Sequence, residues 1–284
     1  MRHPGMLSLC LLGAVLLSGC AQDQAKIKAE VAKISAKDEA SLDAIELNVA
    51  DPTEAVAYFR KSVANHPERT ASKRYLAMSL VRAKQPVEAV KVWQEVVKAS
   101  DSTMDDRVNY ADALLRAGKW AEAGKVLSAI PPTHETYDRY RLEAMIADSK
   151  REWRKADSFY ETAAGMTTTP APIYNNWGFS KLSRHDYAGA ERLFRTALQY
   201  DPTMYVAKNN LVIARGMQRK YDLPVIQMTQ TERAHLLYTL ALTAIKQDDI
   251  ATGKALLEQA IATNPEYFEA AQRSLDALTA NVSH

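Results

Sequence analysis

A small apolar residue and a bulky apolar residue recur as a pair at a nearly constant interval along the chain. An alanine, followed four residues later by a bulky apolar residue, occurs five times, at intervals of 34, 34, 33 and 34 residues. The pairs are Ala55 and Phe59, Ala89 and Trp93, Ala123 and Leu127, Ala156 and Tyr160, and Ala190 and Phe194. Residues four apart lie on one face of an α-helix. Two positions that keep phase over five copies therefore predict an array of similar helical units.

The fifth copy, residues 171–204, has the most complete pattern. Gly178 has no side chain, so two helices can cross closely there, with Ala190 facing it and Phe194 filling the gap. Pro202 lacks an amide hydrogen and ends the second helix. Together with Tyr174, Trp177 and Ala197, these residues resemble the tetratricopeptide (TPR) repeat, a helix–turn–helix unit of about 34 residues. The resemblance implies an all-α fold, a right-handed superhelical solenoid of helix–turn–helix repeats.

The repeat pattern divides the chain after residue 50. We predict about five repeats and a partial one over residues 51–220. The phase then slips, since Phe194 and its next counterpart, Leu257, are 63 residues apart, five short of two periods. Pro224 lies in a polar run, so we predict a non-helical connector at residues 221–231. Residues 232–284 should then hold a final repeat and, from Pro265 on, a capping helix.

The N-terminus has the features of a lipoprotein signal peptide over residues 1–19. Arg2 precedes a short apolar run, and Leu17-Ser18-Gly19-Cys20 resembles the bacterial lipobox. The resemblance implies acylation of Cys20, with palmitate as a typical chain, and a membrane anchor. An ordinary signal peptide cut nearby and an uncleaved anchor are the alternatives. Residues 20–50 would hold the lipidated cysteine and either a tether or a lead helix.

The location predicted from the lipobox is the outer membrane, with the body facing the periplasm. In Gram-negative lipoproteins an aspartate directly after the cysteine favours retention at the inner membrane, and Ala21 stands there instead. Downstream of Cys20 the chain has no cysteine, which excludes a disulfide framework and a thiolate metal site in the repeats.

Composition and motifs argue against catalysis and against nucleic acid as a partner. The 36 basic and 34 acidic residues nearly cancel, so no charge excess favours nucleic-acid binding. The chain contains no P-loop, GxGxxG, HExxH or GxSxG motif. Its histidines outside the leader are isolated from one another. We therefore predict a protein that is not an enzyme and has no cofactor or metal site.

The first helices of TPR repeats line a concave groove in which peptides bind, and the resemblance implies the same here. Asn109, Asn176 and Asn210 share one repeat position. Asparagine offers both a donor and an acceptor, which suits a peptide backbone. The alternative is that these amides bond neighbouring loops. The predicted partner-binding residues on these helices are Arg74, Asn109, Asp112, Asn175, Asn176, Phe179, Asn209, Asn210 and Ile213.

The chain as a whole resembles the TadD-type TPR lipoproteins of Tad/Flp pilus assembly. The resemblance rests on the lipobox at Cys20, the repeats, and the Asn209-Asn210-Leu211 helix followed by a broken repeat. It implies a non-catalytic role in assembling an outer-membrane secretin and exporting pilin, with envelope proteins as partners. An adaptor lipoprotein for peptidoglycan-processing enzymes is the alternative.

Overall fold

The computed structural model describes residues 41–280, and all regular structure in that range is helical. Residues 41–48 are helical and are called α1. The further helices are α2 (Pro52–Asn65), α3 (Thr70–Arg82), α4 (Pro86–Val96), α5 (Met104–Arg116), α6 (Trp120–Ser128), α7 (Tyr137–Ser149), α8 (Trp153–Gly165), α9 (Ala171–Ser183), α10 (Tyr187–Tyr200), α11 (Tyr205–Gly216), α12 (Gln230–Lys246), α13 (Ile250–Thr263) and α14 (Glu269–Ala280). The predicted all-α class is confirmed. None of these helices is long and apolar enough to cross a membrane.

Residues 41–280 divide into two compact units, with the boundary between Lys119 and Trp120, inside the third predicted repeat. In the first unit, α2 packs on α3, α3 on α4 and α4 on α5, each on the next helix along the chain. In the second unit the same holds from α6 to α14. Packing between chain neighbours is the organisation that a helical repeat array requires, because one hairpin cannot bury its own apolar face.

A left-handed residue marks the turn after the first helix of successive hairpins. Positive φ angles of 58–77° occur at Lys84, Gly118, Arg151, His185, Arg219 and Asp248. The first five are spaced by 34, 33, 34 and 34 residues, and the last interval is 29 residues. Only one of them is glycine, although a left-handed conformation costs other residues about 1–2 kcal/mol. The tight turn is therefore set by the hairpin and not by the residue type.

The repeat positions predicted to pack between helices are buried. Ala55, Phe59, Ala89, Ala123, Ala190 and Phe194 have no exposed surface, and Trp93 is 1% exposed. A Cβ atom added to Gly178 would lie 2.6 Å from Phe194 Cε1. Gly178 is thus the place where α9 and α10 approach too closely for any side chain. Pro202 follows the end of α10 at Tyr200.

The capping helix begins later than predicted. Pro265 follows α13, but α14 starts only at Glu269, so the predicted start at Pro265 is wrong. The cause is Phe268, which is 8% exposed and belongs to the core of the last repeat. Its ring packs against His235 and Tyr238, with ring centroids 4.7 and 5.3 Å away. Docking of this ring holds the chain out of helical geometry until the next residue.

The sixth repeat has a first helix but no second one. Residues 217–229, between α11 and α12, contain no helix. Their apolar side chains still reach the core: Tyr221, Leu223 and Met228 pack on the cluster of the last repeat, and Ile226 packs on the cluster of α10 and α11. A short extended segment thus covers the surfaces that a second helix would cover. It ends at Thr229, whose side chain caps α12.

A buried carboxylate anchors this connector. Glu191, on α10, accepts hydrogen bonds from Arg215 at 2.9 Å and from Gln218 and Lys220 at 3.0 Å. Arg215 also donates to the carboxylate of Asp222 at 2.6 Å. Burial would raise the pKa of Glu191, but the hydrogen bonds from Lys220, Arg215 and Gln218 outweigh it and lower the pKa to about 2. The carboxylate is therefore ionised and joins α10, α11 and the connector.

Candidate functional site

A cavity of about 560 Å³ lies in the second unit, among α6, α7, α8, α9 and α11. We call it the Trp120 pocket. It is lined by Trp120, Met145, Asp148, Ser149, Tyr160, Asn175, Asn176, Phe179, Ser180, Ser183, Val206 and Asn210. Four predicted partner-binding residues meet here, namely Asn175, Asn176, Phe179 and Asn210. The volume is in the range of small-ligand and side-chain pockets.

Large apolar side chains around the pocket are open to solvent. Trp120 is 41% exposed, Phe179 58% and Val206 51%. These three residues come from α6, α9 and α11, so the apolar surface is built by three separate helices. Single exposed apolar residues are common on protein surfaces, whereas several gathered around one cavity are typical of a binding site.

An amide pair connects two of the helices in the pocket. Asn210 Nδ2, on α11, donates a hydrogen bond of 3.1 Å to Asn175 Oδ1, on α9. This bond uses one of the two N–H donors of Asn210 and one of the two lone pairs of the Asn175 oxygen. The pair is therefore held in place and still has donors and acceptors for a bound group. The alternative role for the amides, bonding within the protein, applies to this contact and to Asn209, which accepts a hydrogen bond from Thr239.

Asp148 is a functional candidate that sequence reasoning missed. Its two carboxylate oxygens accept hydrogen bonds from Ser180 Oγ at 2.7 Å and from the Tyr160 hydroxyl at 2.8 Å. Burial raises the pKa of Asp148 above its ordinary value, against the hydrogen bonds, and also raises the pKa of Tyr160. A signal existed in the sequence, since the corresponding positions of the third and fifth repeats hold Leu115 and Leu182.

A second cavity lies in the first unit and is lined by two of the predicted partner-binding residues. Asn109 and Asp112, on α5, line a space of about 270 Å³ together with Leu47, Asn48, Met78, Val81, Arg82 and Trp93. Asp112 also pairs with Arg116, one turn further along α5, at 2.5 Å. This cavity is smaller than the Trp120 pocket and shares no lining residue with it.

The remaining three predicted residues line neither of these cavities. Arg74 Nε donates to Asp106 Oδ1 at 2.8 Å, and another guanidinium nitrogen donates to the Asp101 carbonyl at 2.6 Å. Arg74 therefore joins α3 to the start of α5. Asn209 accepts a hydrogen bond of 2.9 Å from Thr239 on α12. Ile213 lies half-buried on α11 and is outside the lining of both cavities.

The connector has a cavity of its own. Val225, Ile226 and Gln227 face Arg195, Leu198, Gln199 and Pro202 around a space of about 320 Å³. None of these residues lines the Trp120 pocket. Within residues 41–280, no three His, Cys, Asp or Glu side chains are grouped closely enough to hold a metal ion. Cys20, the predicted lipidation site, lies outside the described residues.

Comparisons with known proteins define the class of fold. Residues 45–103 and 76–136 match the family model described as the tetratricopeptide repeat, so the helical hairpins in this part of the chain are TPR repeats. The chain is also similar in structure to solved TPR proteins, which confirms the predicted fold class. Among curated proteins, none matches the chain by sequence.

Three solved structures illustrate the similarity. A TPR protein from Parabacteroides merdae has a TM-score of 0.56 and 11% identity, over 86% of this chain and 98% of that one. A chain of the APC/C hetero-tetramer Cut9–Hcn1 has a TM-score of 0.59 and 13% identity, over 82% and 47%. A human IFIT1 dimer with PPP-AAAA has a TM-score of 0.55 and 16% identity, over 81% and 59%. This chain spans about half of the Cut9–Hcn1 chain and three fifths of IFIT1, and at these identities the similarity shows the fold alone.

Proposed function

We propose that this protein is a non-catalytic scaffold that binds a protein partner in the Trp120 pocket. The observation that carries the proposal is the meeting of Asn175, Asn176, Phe179 and Asn210 in one cavity of about 560 Å³. The TPR fold is suited to protein–protein interaction. The pocket offers exposed apolar side chains for contact area and amides for hydrogen bonds to a backbone.

The proposed setting is the periplasmic side of a bacterial outer membrane, with Cys20 as the lipid anchor. The lipobox supports the anchor, and three acyl chains would hold the protein firmly, since each buried methylene contributes about 0.8 kcal/mol. The proposed role is to support assembly of a pilus or secretion machine around an outer-membrane secretin. The resemblance to TadD-type lipoproteins supports this role through the lipobox, the repeats and the broken sixth repeat.

A site-specific crosslink tests the pocket. We would place a photoreactive phenylalanine at Phe179 and, as the matched control, at Tyr200. Both are aromatic residues of the fifth repeat, and their exposures are nearly equal at 58% and 56%. Tyr200 is outside the pocket lining. Irradiation of intact envelopes should give a crosslinked partner from position 179 and little from position 200.

The identity of the captured protein decides the role. A secretin, a pilin or another pilus-assembly component would support the proposal. Capture of a peptidoglycan-processing enzyme would favour the adaptor alternative and overturn the pilus role. Equal yields from positions 179 and 200 would show that the Trp120 pocket is not the binding site.

The anchor is tested independently of the pocket. Cys20→Ala should abolish incorporation of radiolabelled palmitate and move the protein to the soluble fraction, because the thiol and the new amino group are the acylation sites. Cys10→Ala is the matched control and should leave labelling intact. Unchanged labelling of the Cys20 variant would refute the anchor.

A further inference from the structure

The Trp120 pocket has an unusual balance of charge. Of the twelve described residues that line it, Asp148 is the one with a charged side chain, and no lysine or arginine is among them. The other polar groups are neutral amides and hydroxyls. A bound group therefore meets a single negative charge inside a largely apolar cavity.

The partners of Asp148 do not neutralise it. Ser180 and Tyr160 donate hydrogen bonds from neutral hydroxyls, one to each carboxylate oxygen. Each carboxylate oxygen has two lone pairs, so each can accept one more hydrogen bond. Among the ion pairs of residues 41–280, none includes Asp148.

A neighbouring acid on α8 shows the contrast. Asp157 is paired with Lys181 at 3.0 Å and with Arg184, and it accepts a hydrogen bond of 2.6 Å from the Trp177 indole. Arg184 is further held over the ring of Trp153, 5.4 Å from its centroid. Lys181 and Arg184 thus make ion pairs with Asp157, whereas Arg184 acts on Asp148 only through its nearby charge. The Asp148 carboxylate can therefore take an ion-pair partner from outside.

The walls of the pocket also favour a cation. Trp120 and Phe179 line it and are well exposed, and the faces of aromatic rings attract ammonium and guanidinium groups. A carboxylate among aromatic rings and amides is well suited to a lysine or arginine side chain. The aliphatic stem of such a side chain would pack on the rings while its head meets the carboxylate.

We propose that the Trp120 pocket binds a lysine or arginine side chain of the partner, with Asp148 as the counter-charge. This inference rests on the proposed function and names the chemistry of the partner. The backbone beside that side chain would meet Asn175 and Asn210. A partner segment with a basic residue next to apolar ones would therefore be preferred over an acidic segment.

Binding of the cation should weaken in acid. The titratable groups that influence Asp148 from the packed helices are Tyr160 and Arg184, which lower its pKa, and Asp157, which raises it. Burial is the largest influence and keeps the pKa above its ordinary value. Protonation of Asp148 would remove the counter-charge, so affinity should fall at a higher pH than it would for an exposed aspartate.

The test uses small probes and the full-length protein in detergent. The four tryptophans would be labelled with 5-fluorotryptophan and assigned by single Trp→Phe variants. Butylguanidinium and butylammonium are the cationic probes, and butylurea is the neutral isostere. We expect the cations, and not butylurea, to shift the Trp120 fluorine signal in a saturable way. An equal response to butylurea would overturn the proposal.

Two substitutions on α7 sharpen the test. Asp148→Asn should weaken butylguanidinium about tenfold or more, because a charge-assisted hydrogen bond is lost. Asp138→Asn removes the same charge from an exposed position on the same helix and should leave binding unchanged. Unaltered tryptophan signals without probe would show that both variants fold. Equal affinity of the two variants would overturn the role of Asp148.

The outcomes separate this inference from the proposed function. If Phe179 captures a partner but butylguanidinium does not bind, the scaffold function stands and the cation preference fails. If the probe binds but position 179 captures nothing more than position 200, the cation preference stands and the proposed function fails.

Discussion

The fifth and sixth repeats begin in the same way, with a first helix and a tight turn, but different structures then pack against that helix. Each has a first helix, α9 or α11, that is followed directly by a left-handed residue, His185 or Arg219, and these two residues are 34 positions apart. The fifth repeat then continues into α10, whose Phe194 packs on Gly178. The sixth continues into residues 220–229, which are not helical. The first helix and its turn therefore do not require a second helix after them.

Different interactions hold α10 in the fifth repeat and the connector in the sixth. In the fifth repeat, apolar surfaces meet at a distance that only glycine permits. In the sixth, a few apolar side chains are combined with the buried ion network of Glu191, Arg215 and Lys220. A helix buries a continuous apolar face, whereas an extended segment buries every second side chain. The ion network supplies the fixed attachment that the shorter apolar contact lacks.

The largest expected effect is at the helix crossing of the fifth repeat. Gly178→Leu forces side-chain atoms into the Phe194 ring and should lower the free energy of unfolding by about 3 kcal/mol, the upper part of the range for overpacking. Gly165→Leu is the matched control, since a Cβ added there meets no atom within 4 Å. Urea denaturation of both variants measures the difference. Equal midpoints would show that α9 and α10 do not cross at Gly178.

The ion network of the connector should give the next largest effect. Glu191→Gln keeps the size of the side chain but leaves Arg215 and Lys220 without their shared carboxylate. We expect a loss of about 2 kcal/mol, in the range for hydrogen bonds to charged groups. Glu161→Gln, at an exposed position of α8, is the control and should change little. If both variants unfold alike, the network does not hold the connector.

The same carboxylate predicts that the free energy of unfolding depends on pH. The pKa of Glu191 is lowered from 4.5 to about 2 in the folded protein. Its stabilising contribution is thus complete above pH 4.5 and is lost as the pH falls toward 2. The difference in melting temperature between wild type and Glu191→Gln should narrow over this interval. A constant difference down to pH 2 would contradict the assignment.

The smallest expected loss of stability is at Ile226 in the connector, with its neighbour Val225 as the control. Ile226 packs on the core of α10 and α11, whereas Val225 is fully exposed. Ile226→Ala should cost about 1 kcal/mol, less than for a fully buried isoleucine. Val225→Ala should stay within about 0.5 kcal/mol. A larger loss from Val225 than from Ile226 in thermal unfolding would reverse the orientation assigned to the connector.

The sequence predicted the repeat core because its signals are periodic. Small and bulky residues at fixed spacing identify the buried positions without knowledge of the fold, and Ala55, Phe59 and Phe194 are all fully buried. The left-handed turns were not predictable in this way. Lys84, Arg151 and Arg219 have no preference for that conformation, which the two packed helices impose on them.

The candidate site could be predicted only in part, because its residues depend on contacts between helices. Asn175 and Asn210 were found by their repeat position. Asp148 was missed because one acid beside a polar turn has the sequence appearance of a solvated residue. Arg74 was placed in the partner-binding set, and its bond to Asp106 could not be inferred, since that acid also caps α5.

The most direct test of the account is whether two helices of the Trp120 pocket hold the same partner. Photoreactive phenylalanine would be placed in turn at Phe179 on α9 and at Val206 on α11, with Tyr200 and Val225 as exposed positions outside the pocket. We predict that positions 179 and 206 capture one and the same protein, and that positions 200 and 225 do not. Different proteins from 179 and 206, or equal capture at all four positions, would contradict it.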